Sequence, residues 1–187
     1  MIRILLLISL FFLPVKANAL IEVDITRGNL NPLPIAVSPL SIDENSKKNF
    51  EKILKKKNIG SEIAIVVENN LKASGLFNPL NRDAFLQAPD IANLKPRFED
   101  WNLIKAQALI TGKVNFVNDK LRVEFRLWDV LAGKEMMALA FTTVPSNWRR
   151  VGHIITDKVY ERLTGEKGYF DTRIIYVSEE GPKTRRI

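Results

Sequence analysis

The chain has 187 residues, 46% hydrophobic and 26% charged, which is enough apolar surface to bury a core and excludes disorder throughout. Its length fits one domain, or one domain with part of another. There is no cysteine and one histidine, His153, so disulfides, thiolate metal sites and a cysteine nucleophile are excluded, and a Ser-His-Asp arrangement has one candidate base. The net charge of +7 raises nucleic acid and anionic lipid as partners.

The first 19 residues read as a targeting segment. Arg3 supplies a positive start, Ile4 to Val15 is an apolar run interrupted by Pro14, and Ala17-Asn18-Ala19 is the small-x-small pattern of a signal peptidase site. Cleavage is expected between Ala19 and Leu20. The competing reading, a membrane anchor, fails on length: twelve residues rise about 18 Å as a helix against a hydrocarbon core of ~30 Å. No cysteine follows the cut, so a lipoprotein anchor has no attachment point. Loss of Arg3 and Lys16 lowers the charge from +7 to +5, and export, to the periplasm in a Gram-negative cell, separates the protein from most nucleic acid.

In the mature chain, Leu20 to Thr26 alternates Ile21, Val23 and Ile25 against Glu22, Asp24 and Thr26, a half-buried strand pattern. Gly28 to Pro34 breaks it with turn residues and two prolines. Such a strand can pair within its own domain or along a partner's sheet edge. Ile35 to Leu40 reads as a short buried strand. Ser41 to Lys57 carries six lysines, with Phe50, Ile53 and Leu54 spaced for a solvated helix.

Ser61 is the expected cap of a clear helix with Ile63, Val66, Val67 and Leu71 on its apolar face and Gly75 just past its end. Phe77 to Leu80 is extended, Leu86 to Arg97 is loop-like with two prolines, and Phe98 to Ala106 is a short helix. Gln107 to Val117, the alternating run around Leu121, Val123, Phe125 and Leu127, and Glu135 to Val144 form an antiparallel meander. A last helix from about Asn147 to Thr164 places Val151, Ile155, Val159 and Leu163 on one side and ends at Gly165. The class implied is α+β: a mixed, largely antiparallel sheet with helices packed on one face. Thr172 to Ser178 is one further strand, without a sequential partner.

No catalytic constellation emerges. His153 sits in a helix beside Gly152, with Thr156 and Asp157 one turn on, and reads as a packing or capping residue. Glu22 and Asp24 share the polar edge of a terminal strand, where solvation is the simpler reading. The glycines do not form a phosphate-binding loop. Arg122, Arg126 and Trp128 suggest a basic, aromatic stacking face for single-stranded nucleic acid, and the lysine-rich stretch a surface for anionic partners; the plainer reading of both is a wetted surface. An envelope hydrolase or sugar-binding module is the enzymatic alternative. No metal, cofactor or catalytic residue is expected.

Several stretches in order carry a family resemblance. Leu71-Lys72-Ala73-Ser74-Gly75-Leu76-Phe77-Asn78-Pro79-Leu80, then Ile110-Thr111-Gly112-Lys113-Val114, Trp148, Gly152-His153, Asp157, Leu163-Thr164-Gly165-Glu166-Lys167-Gly168 and Phe170-Asp171-Thr172-Arg173-Ile174-Ile175-Tyr176-Val177 resemble the TolB family, periplasmic propeller proteins of the Tol-Pal system. The lysine-rich stretch Asn45 to Asn58 is longer and more basic than the family pattern.

The resemblance implies a signal peptide at 1–19 and an N-terminal α/β domain of mixed sheet and two packed helices at 20–165. Residues 166–187 would then be a linker and the first strand of a six-bladed propeller otherwise outside this chain. It implies a non-enzymatic adaptor in the periplasm, linking inner-membrane TolA to outer-membrane Pal and supporting envelope integrity and constriction at division. TolA would bind the mature N-terminus, here Leu20, Ile21, Glu22, Val23, Asp24, Ile25, Thr26 and Arg27, and Pal would bind the propeller.

Overall fold

The computed structural model describes residues 31–173 and the pairs Ser178–Glu179 and Arg185–Arg186. Strand β1 (Leu33–Val37) is followed by β2 (Ser41–Ile42), α1 (Glu44–Leu54), α2 (Ile59–Ala73) and β3 (Phe77–Pro79). A 3-10 turn at Arg82–Ala84 leads to two six-residue helices, α3 (Pro89–Leu94) and α4 (Phe98–Leu103). The meander β4 (Ala108–Val117), β5 (Lys120–Asp129) and β6 (Lys134–Thr143) then runs into α5 (Trp148–Thr164).

The sheet has the order β3-β1-β4-β5-β6, with β2 also pairing β4. β1 lies parallel to β3 and β4, and β2 parallel to β4; β4, β5 and β6 pair antiparallel. The expected α+β class, mixed and largely antiparallel, is what the chain adopts, but helices cover both faces of the sheet where one was expected. Asn118 and Asp119 take φ of 50° and 58°, so the β4–β5 turn has both central residues left-handed, which matches the twist of the flanking strands.

The alternation in β5 is realised directly. Leu121, Val123, Phe125 and Leu127 are buried in the main core with β1, α2 and α5. That core takes Ile63, Val67 and Leu71 from α2 and Val151, Ile155, Val159 and Leu163 from α5. Each such side chain removed from water contributes about 1.5–3 kcal/mol before entropy. Gly152 sets how closely the two helices approach: a Cβ there would lie 2.8 Å from Val66 Cγ1 and 2.9 Å from Val66 Cβ.

The opposite sheet face carries a second, smaller cluster of Ala36, Ala92, Trp101, Ala106, Leu109 and Val130, covered by α3 and α4. β4 therefore buries consecutive residues: Ala108 and Ile110 face the main core and Leu109 the smaller one.

Three local expectations are corrected. Asn58, not Ser61, caps α2, its Oδ1 accepting the Ser61 N–H at 3.2 Å, so the helix starts two residues before Ser61. Within the loop-like stretch Leu86 to Arg97 lies α3, whose Pro89 occupies the first turn, where its missing N–H costs no hydrogen bond. The last strand, expected over Thr172 to Ser178 without a sequential partner, has one at its end: Ser178–Glu179 pairs antiparallel with Arg185–Arg186. Ile174 to Val177 of the expected last strand lie outside the described residues.

Candidate functional site

The residues expected to bind TolA, Leu20 to Arg27, lie outside the described residues, as do the cleavage pair Ala19 and Leu20 and the carboxylates Glu22 and Asp24. The described residues begin just before β1, which lies between β3 and β4 in the sheet.

His153 lies where α5 crosses α2. Its Nδ1 is 2.8 Å from Asn70 Nδ2, an amide nitrogen that only donates, so Nδ1 is the acceptor. The same amide donates to Thr156 Oγ1 at 3.2 Å, and Thr156 donates to the Gly152 carbonyl at 2.9 Å. The Thr156 proton is thus committed to the backbone and not to the imidazole. This cluster holds two helices together and offers no nucleophile paired with a base.

The cations Lys113, Arg122 and Arg126 on the charged face of the meander are paired with carboxylates of the same face. Glu124 accepts from Arg122 Nε at 2.9 Å and faces Lys113 Nζ at 3.6 Å. The Arg122 hydrogen bond first, and the Lys113 charge with it, hold the Glu124 carboxyl below its ordinary range. Arg126 Nε pairs with Glu135 at 3.2 Å. Trp128 donates its Nε1–H to Thr111 at 2.9 Å and meets Phe98 edge-on at 5.8 Å. Cations so paired and a ring so covered make a poor stacking platform.

The lysine-rich stretch forms α1. Asp43 caps it, accepting from Ser46 N at 2.9 Å and Ser46 Oγ at 2.6 Å; these bonds lower the Asp43 pKa. Ser46 Oγ also accepts the Phe116 N–H at 2.8 Å, and Phe50 packs edge-on against Phe116, so β4 anchors the helix. Lys47 pairs with Glu44 and Lys56 with Glu62; Lys56 and Arg149 lie over the Trp148 ring. Lys48 and Lys52 lie exposed on this docked helix, and Lys55 and Lys57 exposed just after it.

A groove of about 460 Å³ runs between α2 and the chain after β3, lined by Glu68, Asn69, Lys72, Asn81 and Arg82 among others. Arg82 Nε donates to Glu68 at 2.6 Å, and burial raises the Glu68 pKa despite that partner. Among the described residues no group of three or more His, Asp or Glu is placed to hold a metal ion.

The most heavily built feature is the stretch after α5. Asp157 accepts the Phe170 N–H through Oδ1 at 2.7 Å and the Asp171 N–H through Oδ2 at 3.0 Å. Arg150 grips the Asp171 carboxylate through Nε at 3.0 Å and Nη2 at 3.1 Å. Tyr160 meets Phe77, Tyr169 and Phe170 edge-on, and Tyr169 stacks on Phe170 at 4.5 Å. Periodicity does not reveal this: the only sequence signal is Gly168-Tyr169-Phe170-Asp171, a small residue followed by two aromatics and an acid.

The TolB amino-terminal domain family matches residues 21–136. The Tol-Pal system protein TolB of Pelagibacter ubique (strain HTCC1062) is 84% identical over 182 residues, covering 97% of this chain and 41% of that protein. The chain thus spans about two fifths of that relative's length. The crystal structure of TolB from Acinetobacter baumannii superposes with a TM-score of 0.62 at 23% identity, over 84% of this chain and 35% of that one, a likeness of fold. A family match across most of the β-sheet region, a relative 84% identical over nearly the whole chain and a shared fold agree, and the chain belongs to the TolB family.

Proposed function

We propose that the chain is the amino-terminal part of a non-enzymatic periplasmic adaptor of the Tol-Pal system. The observation that carries this is the 84% identity to a Tol-Pal system protein TolB over nearly the whole chain. The expected signal peptide at 1–19 delivers it to the periplasm, and cleavage after Ala19 frees Leu20. Leu20 to Arg27 then acts as a β-strand for the C-terminal domain of TolA, burying Ile21, Val23 and Ile25 while Glu22 and Asp24 stay wet. Burying three such side chains contributes roughly 5–9 kcal/mol gross, and ordering a free strand offsets much of it. The balance suits a partner that must be released.

Beyond residue 165 the chain leads toward a propeller that binds Pal, so the whole protein bridges inner-membrane TolA and outer-membrane Pal and supports envelope integrity and constriction at division. The paired cations of the meander face and the structural role of His153 support an adaptor over a hydrolase or a nucleic-acid module.

Deleting Leu20 to Arg27 from the exported protein should abolish capture by the purified C-terminal domain of TolA while leaving the melting temperature of the domain nearly unchanged. Undiminished capture would sink the assignment of this segment. Mass spectrometry of the exported protein should find Leu20 at its amino end; a chain still carrying Met1 to Ala19 would contradict the mechanism.

A further inference from the structure

A helix ending in Gly165, followed by a glycine at 168, reads as a domain boundary with a slack linker, and relative motion is the default for such joins. The contacts say otherwise. Residues 168–171 fold back along α5, from its C-terminal end toward Arg150 in its first turn. Both Asp157 carboxylate oxygens are used on consecutive backbone N–H groups, a charge-assisted pair that orients the peptide planes as well as the position of the strap.

Gly168 makes the approach possible: a Cβ there would lie 2.4 Å from Asp157 Oδ1 and 2.5 Å from Asp157 Cα, so no larger residue fits without displacing the strap. Phe170 packs against the main core, and Tyr169 closes over it from outside. Backbone, apolar and ionic contacts thus fall on four consecutive residues.

We infer that Gly168 to Asp171 is an integral strap of this domain, with Asp157 as its positioning residue, and that it fixes the direction in which the polypeptide leaves toward whatever follows. The functional boundary then falls after Asp171 and not at 165. A pull or rotation applied beyond Arg173 is delivered through Asp171 and Phe170 to α5 and the main core, and is not taken up by a loose tether. The inference rests on these contacts alone and stands whether or not the amino terminus binds TolA.

Backbone 15N relaxation and amide hydrogen exchange on this chain test it. In the native chain, the amides of Phe170 and Asp171 should share the order parameters of α5 and exchange slowly. Asp157→Asn keeps the side-chain shape but leaves one acceptor oxygen for two donors. It should raise exchange at Phe170 and Asp171 at least tenfold and lower the order parameters of 168–173, with the amides of β4 and β5 unchanged. Arg150→Ala, at an exposed site, should loosen Asp171 and leave Phe170 protected; it decides the matter if Asp157→Asn fails to fold. Native order parameters at 168–171 already at linker values would overturn the inference. So would unchanged exchange in Asp157→Asn, or, where that variant does not fold, unchanged exchange in Arg150→Ala.

Discussion

On one face of the sheet, two helices of 15 and 17 residues lie over strands whose alternate side chains are fully buried. On the other, two six-residue helices cover a cluster built around one tryptophan. The first face is continuous from Leu33 to Leu163; the second leaves Leu94 84%, Leu103 74% and Leu131 65% exposed. The long face holds the fold by buried area. The short face holds by a few directed bonds, chiefly Trp101 Nε1–H to Gln87 Oε1 at 2.7 Å and Arg97 N–H to the same oxygen at 3.0 Å. Damage to the two faces should therefore differ in size and in kind.

The largest effect belongs to the long face. Phe125 is 1% exposed and stacks with Phe141 at 6.1 Å. Phe125→Ala should cost about 3–5 kcal/mol in urea unfolding, because the cavity adds to the lost transfer term. Gln87→Ala attacks the short face by stranding the buried Trp101 indole N–H, and should cost about 1–3 kcal/mol. The two sites lie on opposite faces of the sheet, so the double variant should equal the sum of the singles within about 0.5 kcal/mol. A larger deviation would mean that the sheet transmits strain between its faces.

The long-face elements were legible in the sequence because their signals repeat. Val151, Ile155, Val159 and Leu163 return every four residues, and β5 alternates over eight. α3 was not legible, since six residues around a proline give no period to read. The cap of α2 is ambiguous in the sequence because Ser61 and Asn58 both carry capping chemistry; the fold decides by burying Ile59 and Gly60 in the first turn and giving Asn58 the Ser61 N–H. The strap has no periodic signal: Asp157 meets Phe170 across thirteen residues, and the run Gly168 to Asp171 does not name that partner. The proposed TolA strand is legible only as an alternation, and the described residues begin after it.

Smaller effects sharpen the comparison by adding a third kind of region, the α1 helix, which sends only Ser46 and Phe50 into the interior. Asp43→Ala removes its cap and should cost about 1 kcal/mol. The pH dependence gives a sign. The folded Asp43 pKa is lowered from 3.8, so its contribution is present above that value and is lost as pH falls through the folded pKa. Glu68 works the other way. Its folded pKa is raised from 4.5 by burial, so stability falls as pH rises from 4.5 through the folded value. Urea midpoints of Asp43→Ala and Glu68→Gln across pH 2 to 7 should therefore lose slopes of opposite sign.

The smallest effect separates the two ends of neighbouring helices. α2 is followed by Gly75 at φ 74°, a left-handed residue with no side chain to clash. α1 closes on Lys55 at φ 57° and ψ 29°, its N–H still donating to the Glu51 carbonyl at 3.0 Å. A side chain in that region costs about 1–2 kcal/mol per residue, and the greater unfolded-state freedom of glycine takes back part of any relief. Lys55→Gly should thus stabilise the domain by a few tenths to about 1 kcal/mol, read as a higher urea midpoint at constant slope. If the midpoint falls instead, the Lys55 side chain itself holds α1 in place, and the helix is tied to the domain by more than Asp43, Ser46 and Phe50.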